Sequence, residues 1–100
     1  MKLKFMLKQY LEVNYGDLDK FLTERFSFDE EYEFVAAEEV GNDSKTSINV
    51  EPELSKWDRE HIEKVLETKK WECCQTRILL CYLCEQGEIP AGEYLISVSW

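Results

Sequence analysis

Seven consecutive apolar side chains, Ile78-Leu79-Leu80-Cys81-Tyr82-Leu83-Cys84, place the strongest constraint on this chain. A surface helix keeps a polar stripe, whereas a helix that is apolar on every side has to be surrounded. The segment therefore predicts a central, buried helix that starts at or near Thr68 and runs through Glu85. Gln86-Gly87 ends it, with Gly87 in the left-handed C′ position. The remaining residues must supply the layers around it. With 100 residues, 44% apolar and 13% aromatic, the chain can build one domain over residues 1–100. A domain of that size buries about two-thirds of the surface its unfolded form exposes.

Leu3, Met6, Leu7, Tyr10 and Leu11 recur at i, i+3, i+4, i+7 and i+8, which predicts an amphipathic helix. Gly16-Asp17 breaks it and starts a second, short one, with Asp17 as N-cap and Leu18, Phe21, Leu22 and Phe26 on its apolar face. Residues 30–40 carry two patterns. Tyr32, Phe34 and Ala36 alternate with Glu31, Glu33 and Val35 as in a strand. The Ser27…Glu30 spacing and Ala36-Ala37-Glu38-Glu39 favour helix instead. The turn chemistry of Gly41-Asn42-Asp43-Ser44 and the β-rich residues 46–51 that follow decide for a hairpin. Ser55…Asp58 is a capping-box start for a helix with Trp57, Ile62, Val65 and Leu66 on one face. Pro90 and Gly92 make a turn, and residues 93–100 alternate as a half-buried last strand. The expected architecture is α+β: a small three-stranded antiparallel sheet (hairpin plus C-terminal strand) packed against about four helices, in the order αα-ββ-αα-β.

Few residues carry recognisable chemistry. Cys73, Cys74, Cys81 and Cys84 lie within twelve positions, too close to staple a secreted scaffold. Cys81-x-x-Cys84 falls deep in the most apolar helix, not at a helix N-terminus where a redox thiol is activated. One helix cannot aim all four thiolates at a single metal ion. They read as core residues, and neither a metal nor a cofactor is expected. His61 has no nucleophile signature near it and reads as a boundary residue of its helix. Paired carboxylates abound without a glycosidase cleft, and phosphate-loop, dinucleotide and EF-hand patterns are missing from the sequence. The longest apolar run falls well short of the roughly 18 residues of a membrane span. Met1-Lys2-Leu3-Lys4-Phe5-Met6-Leu7-Lys8 resembles a signal peptide only until Lys8 interrupts it, so a cytoplasmic protein is expected.

Charge is the informative property. Residues 12–39 hold ten acids against Lys20 and Arg25, and so account for nearly all of the net charge of −9. Such a field repels nucleic acid and anionic membrane and attracts basic surfaces. A solvated face that keeps a small protein soluble is the plain alternative. If Glu31 and Glu33 share one side of a strand, their carboxylates repeat about every 6.6 Å, much as anions repeat along a nucleic-acid strand. Tyr15, Phe28 and Tyr32 are placed to anchor such an interface.

The stretch from Cys81 to Ile96, Cys-Tyr-Leu-Cys-Glu-Gln-Gly-Glu-Ile-Pro-Ala-Gly-Glu-Tyr-Leu-Ile, with Trp100 and the turn Val40-Gly41-Asn42-Asp43, resembles short uncharacterised proteins of phage and mobile elements. That resemblance implies no catalytic residues. It does imply a class, since small acidic phage proteins are often inhibitors of host defence, anti-CRISPR proteins among them. The expected function is a non-enzymatic inhibitor whose partner-binding residues are Asp17, Asp19, Glu24, Asp29, Glu30, Glu31, Tyr32 and Glu33. Its partner would be a basic protein or nucleoprotein complex, a Cas-type effector or a nuclease, with no direct nucleic-acid binding. A toxin-immunity protein covering a basic nuclease is the first rival, and a small metal-binding or catalytic protein the second.

Overall fold

The computed structural model describes residues 6–7, 11–34, 43–70 and 76–98. Among them are four strands and three helices: β1 (Met6–Leu7), β2 (Leu11–Asn14), α1 (Tyr15–Phe26), β3 (Ser44–Val50), α2 (Lys56–Thr68), α3 (Thr76–Glu85) and β4 (Gly92–Val98). The strands form one sheet in the order β1-β2-β4-β3. The α+β class agrees with expectation, but the sheet is mixed. β4 runs antiparallel to β3, from Ser44↔Val98 to Val50↔Gly92, and parallel to β2, from Leu11↔Tyr94 to Asn14↔Ser97.

β4 holds this sheet together because its alternation is strict. Tyr94, Ile96 and Val98 are buried on the helix side, while Glu93, Leu95 and Ser97 face outward. On its two flanks Val13 and Val50 join the same inner layer. The outer face is polar, and Lys45 of β3 reaches over β4 to Glu12 of β2, with Nζ 3.1 Å from Oε1. Such a one-sided sheet buries apolar residues at every second position, which is why the period-2 reading of the C-terminal strand succeeds.

The helix expected over residues 3–11 is not formed where the chain is described. Met6 and Leu7 pair antiparallel with Glu12 and Leu11 in a short hairpin, and Leu3 and Tyr10 lie outside the described residues. Leu11-Glu12-Val13-Asn14 satisfies both periods. A full ladder against β4 decides for strand, since tertiary pairing overrides a local preference. The predicted hairpin is also revised. Its second arm exists as β3, but residues 31–34 of the first arm are extended chain outside any strand, and residues 35–40 lie outside the described residues. With strand pairing where the first helix was expected, three helices stand among the described residues against the four or so expected.

α1 forms where Leu18, Phe21, Leu22 and Phe26 require it, but Asn14 caps it rather than Asp17. The Asn14 side chain accepts from the Gly16 N–H at 2.9 Å, and Asp17 sits in the first turn, where its charge suits the helix dipole. α2 starts at the expected Ser55 cap, whose Oγ accepts from Asp58 N at 3.1 Å. Its buried stripe is Asp58, Ile62 and Val65. Trp57 was expected on that stripe and instead stays 66% exposed. Five residues separate Trp57 from Ile62, a rotation of about 140° that takes the indole off the buried side. α3 is the anticipated core helix, with Ile78, Leu79, Leu80, Cys81, Leu83 and Cys84 all buried. It does not start near Thr68, however: Thr68 closes α2, Lys69 caps that helix in a left-handed conformation, and α3 as described begins at Thr76. It ends at Gly87, which adopts φ +77° while its N–H donates to Cys84 O and that of Glu88 to Leu83 O.

Truncating the inner face of β4 should cost far more than truncating the outer face. Ile96→Ala is expected to lose about 2–5 kcal/mol in urea melts, and Leu95→Ala well under half of that. Asn14→Ala should lose about 1 kcal/mol through the missing cap, and more than Asp17→Ala does.

Candidate acidic docking face

α1 ends at Ser27, which takes a left-handed conformation (φ 55°) while the N–H groups of Ser27 and Phe28 donate to Glu24 O and Thr23 O. This reversal sends residues 28–34 back along α1 as a strap. Its start is held by the Asp29 N–H, which donates to Lys69 O at the end of α2 (3.2 Å). Its middle is held by the Tyr32 N–H, which donates to Thr23 Oγ1 (2.7 Å), itself a donor to Asp19 O. Phe28 is buried at the start of the strap, Asp29, Glu30 and Glu31 are exposed, and from Glu31 the side chains alternate, with Tyr32 and Phe34 buried and Glu33 exposed. The period-2 pattern read from the sequence is therefore real in burial, although the strap rests on a helix and joins no ladder.

Tyr32 is not an interface anchor. It is fully buried, stacks near Phe28 with centroids 6.0 Å apart, and bonds through its phenol to Thr76 Oγ1 of α3. Phe28 is likewise core, stacked on Phe26 at 5.4 Å, and Tyr15 is half-buried. These rings fasten the strap from within. The large exposed ring among the described residues is Trp57, packed against His61 at 4.4 Å. It lies at the far end of α2 from Lys69, about 18 Å away at the helical rise, and no charge pattern in the sequence flags it.

Six of the predicted acids, Asp17, Glu24, Asp29, Glu30, Glu31 and Glu33, are exposed. Asp17 and Glu24 are seven residues apart, so they share the outer stripe of α1 with Lys20 between them. Glu31 and Glu33 lie along the adjoining flank, above Asp19 and Thr23. Among the described residues there are four ion pairs: Arg25–Glu88, Lys45–Glu12, Arg59–Glu85 and Arg77–Asp58. None of them takes an acid of this face. Arg25, the arginine inside the acidic tract, is turned to Glu88 by a two-pronged hydrogen bond at 2.5–2.6 Å.

Asp19 departs from expectation. It keeps 9% of its surface exposed, and its Oδ1 is buried with no hydrogen-bond donor among the described residues. Burial pushes its carboxyl up to about 7, hydrogen bonding from the Phe34 backbone works against this, and the charges of Glu31 and Glu33 add to the rise. A buried acceptor left unmet costs about 1–3 kcal/mol, so Asp19 is a locally unfavourable residue that the surrounding core tolerates. The sequence hides it because 19 sits one position beyond the apolar Leu18, on the side of α1 that only the strap covers.

Among the described residues, no group of three or more His, Cys, Asp or Glu is arranged to hold a metal ion, and no helix is long and apolar enough to cross a membrane. Cys81 and Cys84 are buried free thiols, and burial raises the pKa of Cys84.

The folded Asp19 binds its proton more tightly than an unfolded aspartate does. Its contribution to stability is therefore full below the unfolded pKa and is lost as pH rises through about 7. Asp19→Asn should remove this dependence. The variant is expected to gain on the order of 1–2 kcal/mol over wild type between about pH 5 and pH 8, solvent screening included, as measured by urea melts at each pH.

Comparison with known proteins finds no matching family model, no similar curated protein and no similar solved structure.

Proposed function

We propose that this protein is a non-enzymatic, phage-type anti-defence inhibitor, which uses the acidic side formed by α1 and the strap to cover a basic nucleic-acid-binding surface. The observation that carries this reading is the pairing pattern. The arginines and Lys45 are engaged with Glu88, Glu85, Asp58 and Glu12, while Asp17, Glu24, Asp29, Glu31 and Glu33 enter none of these ion pairs. Carboxylates outside these ion pairs break none of them when a cationic partner arrives. The field of the face also steers association before contact.

The strap favours this use in a second way. Glu31 and Glu33 are carried on a segment whose alternate residues are locked in the core, so the anions are held in place at little further entropic cost on binding. The resemblance to short phage and mobile-element proteins points in the same direction. The partner class is a Cas-type effector or another nuclease with a lysine- and arginine-rich channel, in the cytoplasm. An immunity protein would use the same face against a co-encoded nuclease toxin.

Tagged protein should capture a basic nucleic-acid-binding complex from host lysate at low salt and release it at high salt, and added nucleic acid should compete. Charge reversal at Glu30, Glu31 and Glu33 together is expected to weaken capture about tenfold or more at low salt, with the gap closing as screening increases. Undiminished capture by that variant would remove the face from the interface.

A further inference from the structure

Residues 28–34 join no ladder, so their backbone N–H groups need acceptors from elsewhere. Those of Phe28 and Asp29 use carbonyls in the last turns of α1 and α2. Those of Tyr32 and Phe34 are met by side chains of α1 instead. Thr23 Oγ1 takes the first at 2.7 Å, and the Asp19 carboxyl takes the second. These two acceptors are four residues apart on one face of α1, with a rise between them of about 6 Å. Alternate N–H groups of an extended chain repeat about every 6.6 Å. The strap runs back along the helix, 32 beside 23 and 34 beside 19, so the two spacings match. Asp19 and Thr23 give the strap what the edge of a neighbouring strand would give. Thr23 is held ready for this by its own helix. Its hydroxyl proton goes to Asp19 O at 2.7 Å, which leaves lone pairs facing the Tyr32 N–H.

We propose that Asp19 and Thr23 are positioning residues of the acidic face, which set the register of the strap and so decide that Glu31 and Glu33 point outward. Register matters because a slip of one residue exchanges the two sides of an extended chain. Such a slip would carry Glu31 and Glu33 toward the core and bring Tyr32 and Phe34 out to solvent. The bond from the Tyr32 phenol to Thr76 Oγ1 pins the same residue at its far end, so backbone and side chain agree on one register. The inference rests on the docking face proposed above. Within that face Asp19 acts inward, as an acceptor for the strap, and touches no partner. What position 19 must supply is an oxygen, and position 23 a fixed hydroxyl.

Amide hydrogen exchange of the full chain, read by NMR, tests the two bonds, and titration with an oligo-arginine peptide at low salt reads the face they position. Thr23→Val keeps the shape of the side chain without its acceptor. It should cut protection of the Tyr32 amide about tenfold or more and weaken peptide binding, while α3 amides stay protected. Thr23→Ser should restore both. Asp19→Ala should expose the Phe34 amide in the same way, and Asp19→Asn, which keeps an oxygen, should recover most of what Asp19→Ala loses. Ile96→Ala, which destabilises the sheet without touching the strap bonds, should leave peptide binding by the folded protein unchanged. If both amides stay protected in Thr23→Val and Asp19→Ala, or if these variants bind the peptide as wild type does, the positioning role is wrong and the docking face stands. If wild type shows no saturable binding, or if charge reversal at Glu30, Glu31 and Glu33 leaves binding unchanged, the docking face falls and the positioning role falls with it.

Discussion

The insertion of β4 between β2 and β3 is the constraint on which the other elements depend. Among the described residues, β2 has no other long partner than β4, and β3 meets the rest of the sheet only through it. The inner face of this last strand, with Tyr94 and Ile96 wholly buried, is part of the floor on which α1 packs, while α3 lies over β3. Because the β2–β4 pairing is parallel and joins the two ends of the chain, the sheet closes only when nearly everything between them is in place. Long-range pairing of this kind costs loop-closure entropy before it returns contacts.

The same core reaches out to hold the acidic face. Tyr32 and Phe34 belong to the apolar cluster that includes Leu22, Leu79 and Ile96, yet the residues between and beside them are glutamates. Packing energy spent on Tyr32 therefore positions charge at the surface. The arrangement concentrates like charges, and that repulsion is tolerated because the buried residues of the strap have no better place to go. Asp19 sits where the two demands collide: α1 needs its apolar side covered, and the strap that covers it brings two anions within reach of a buried carboxyl.

Much of this was legible from local pattern. Ile78 to Cys84 allowed no solution but a buried helix, and residues 94, 96 and 98 alternate too cleanly for anything but a half-buried strand. The Ser55 cap and the Gly87 terminus follow from short-range hydrogen-bonding and backbone geometry. The exposed acids of the tract were identifiable as well, because charged residues rarely leave water unless they are paired, and Asp19 is the exception. Residues whose pattern fits two periods misled. Leu7 and Leu11 are compatible with a helix stripe and with a strand pair, and Asn14 and Asp17 are both competent caps.

What the amino-acid order determined, then, is the set of segments whose own periodicity or capping admits one answer, and the sign of the charge on the region between Glu12 and Glu33. What the tertiary structure decided is partnership. It made residues 11–14 a strand because β4 was there to pair with, and it turned Tyr32 from a candidate anchor into a core residue because Ser27 reversed the chain onto α1. Asp19 became a buried carboxyl because the strap closed over it. Those outcomes depend on contacts between residues far apart in the chain, and the energy of such a contact is written in neither partner alone.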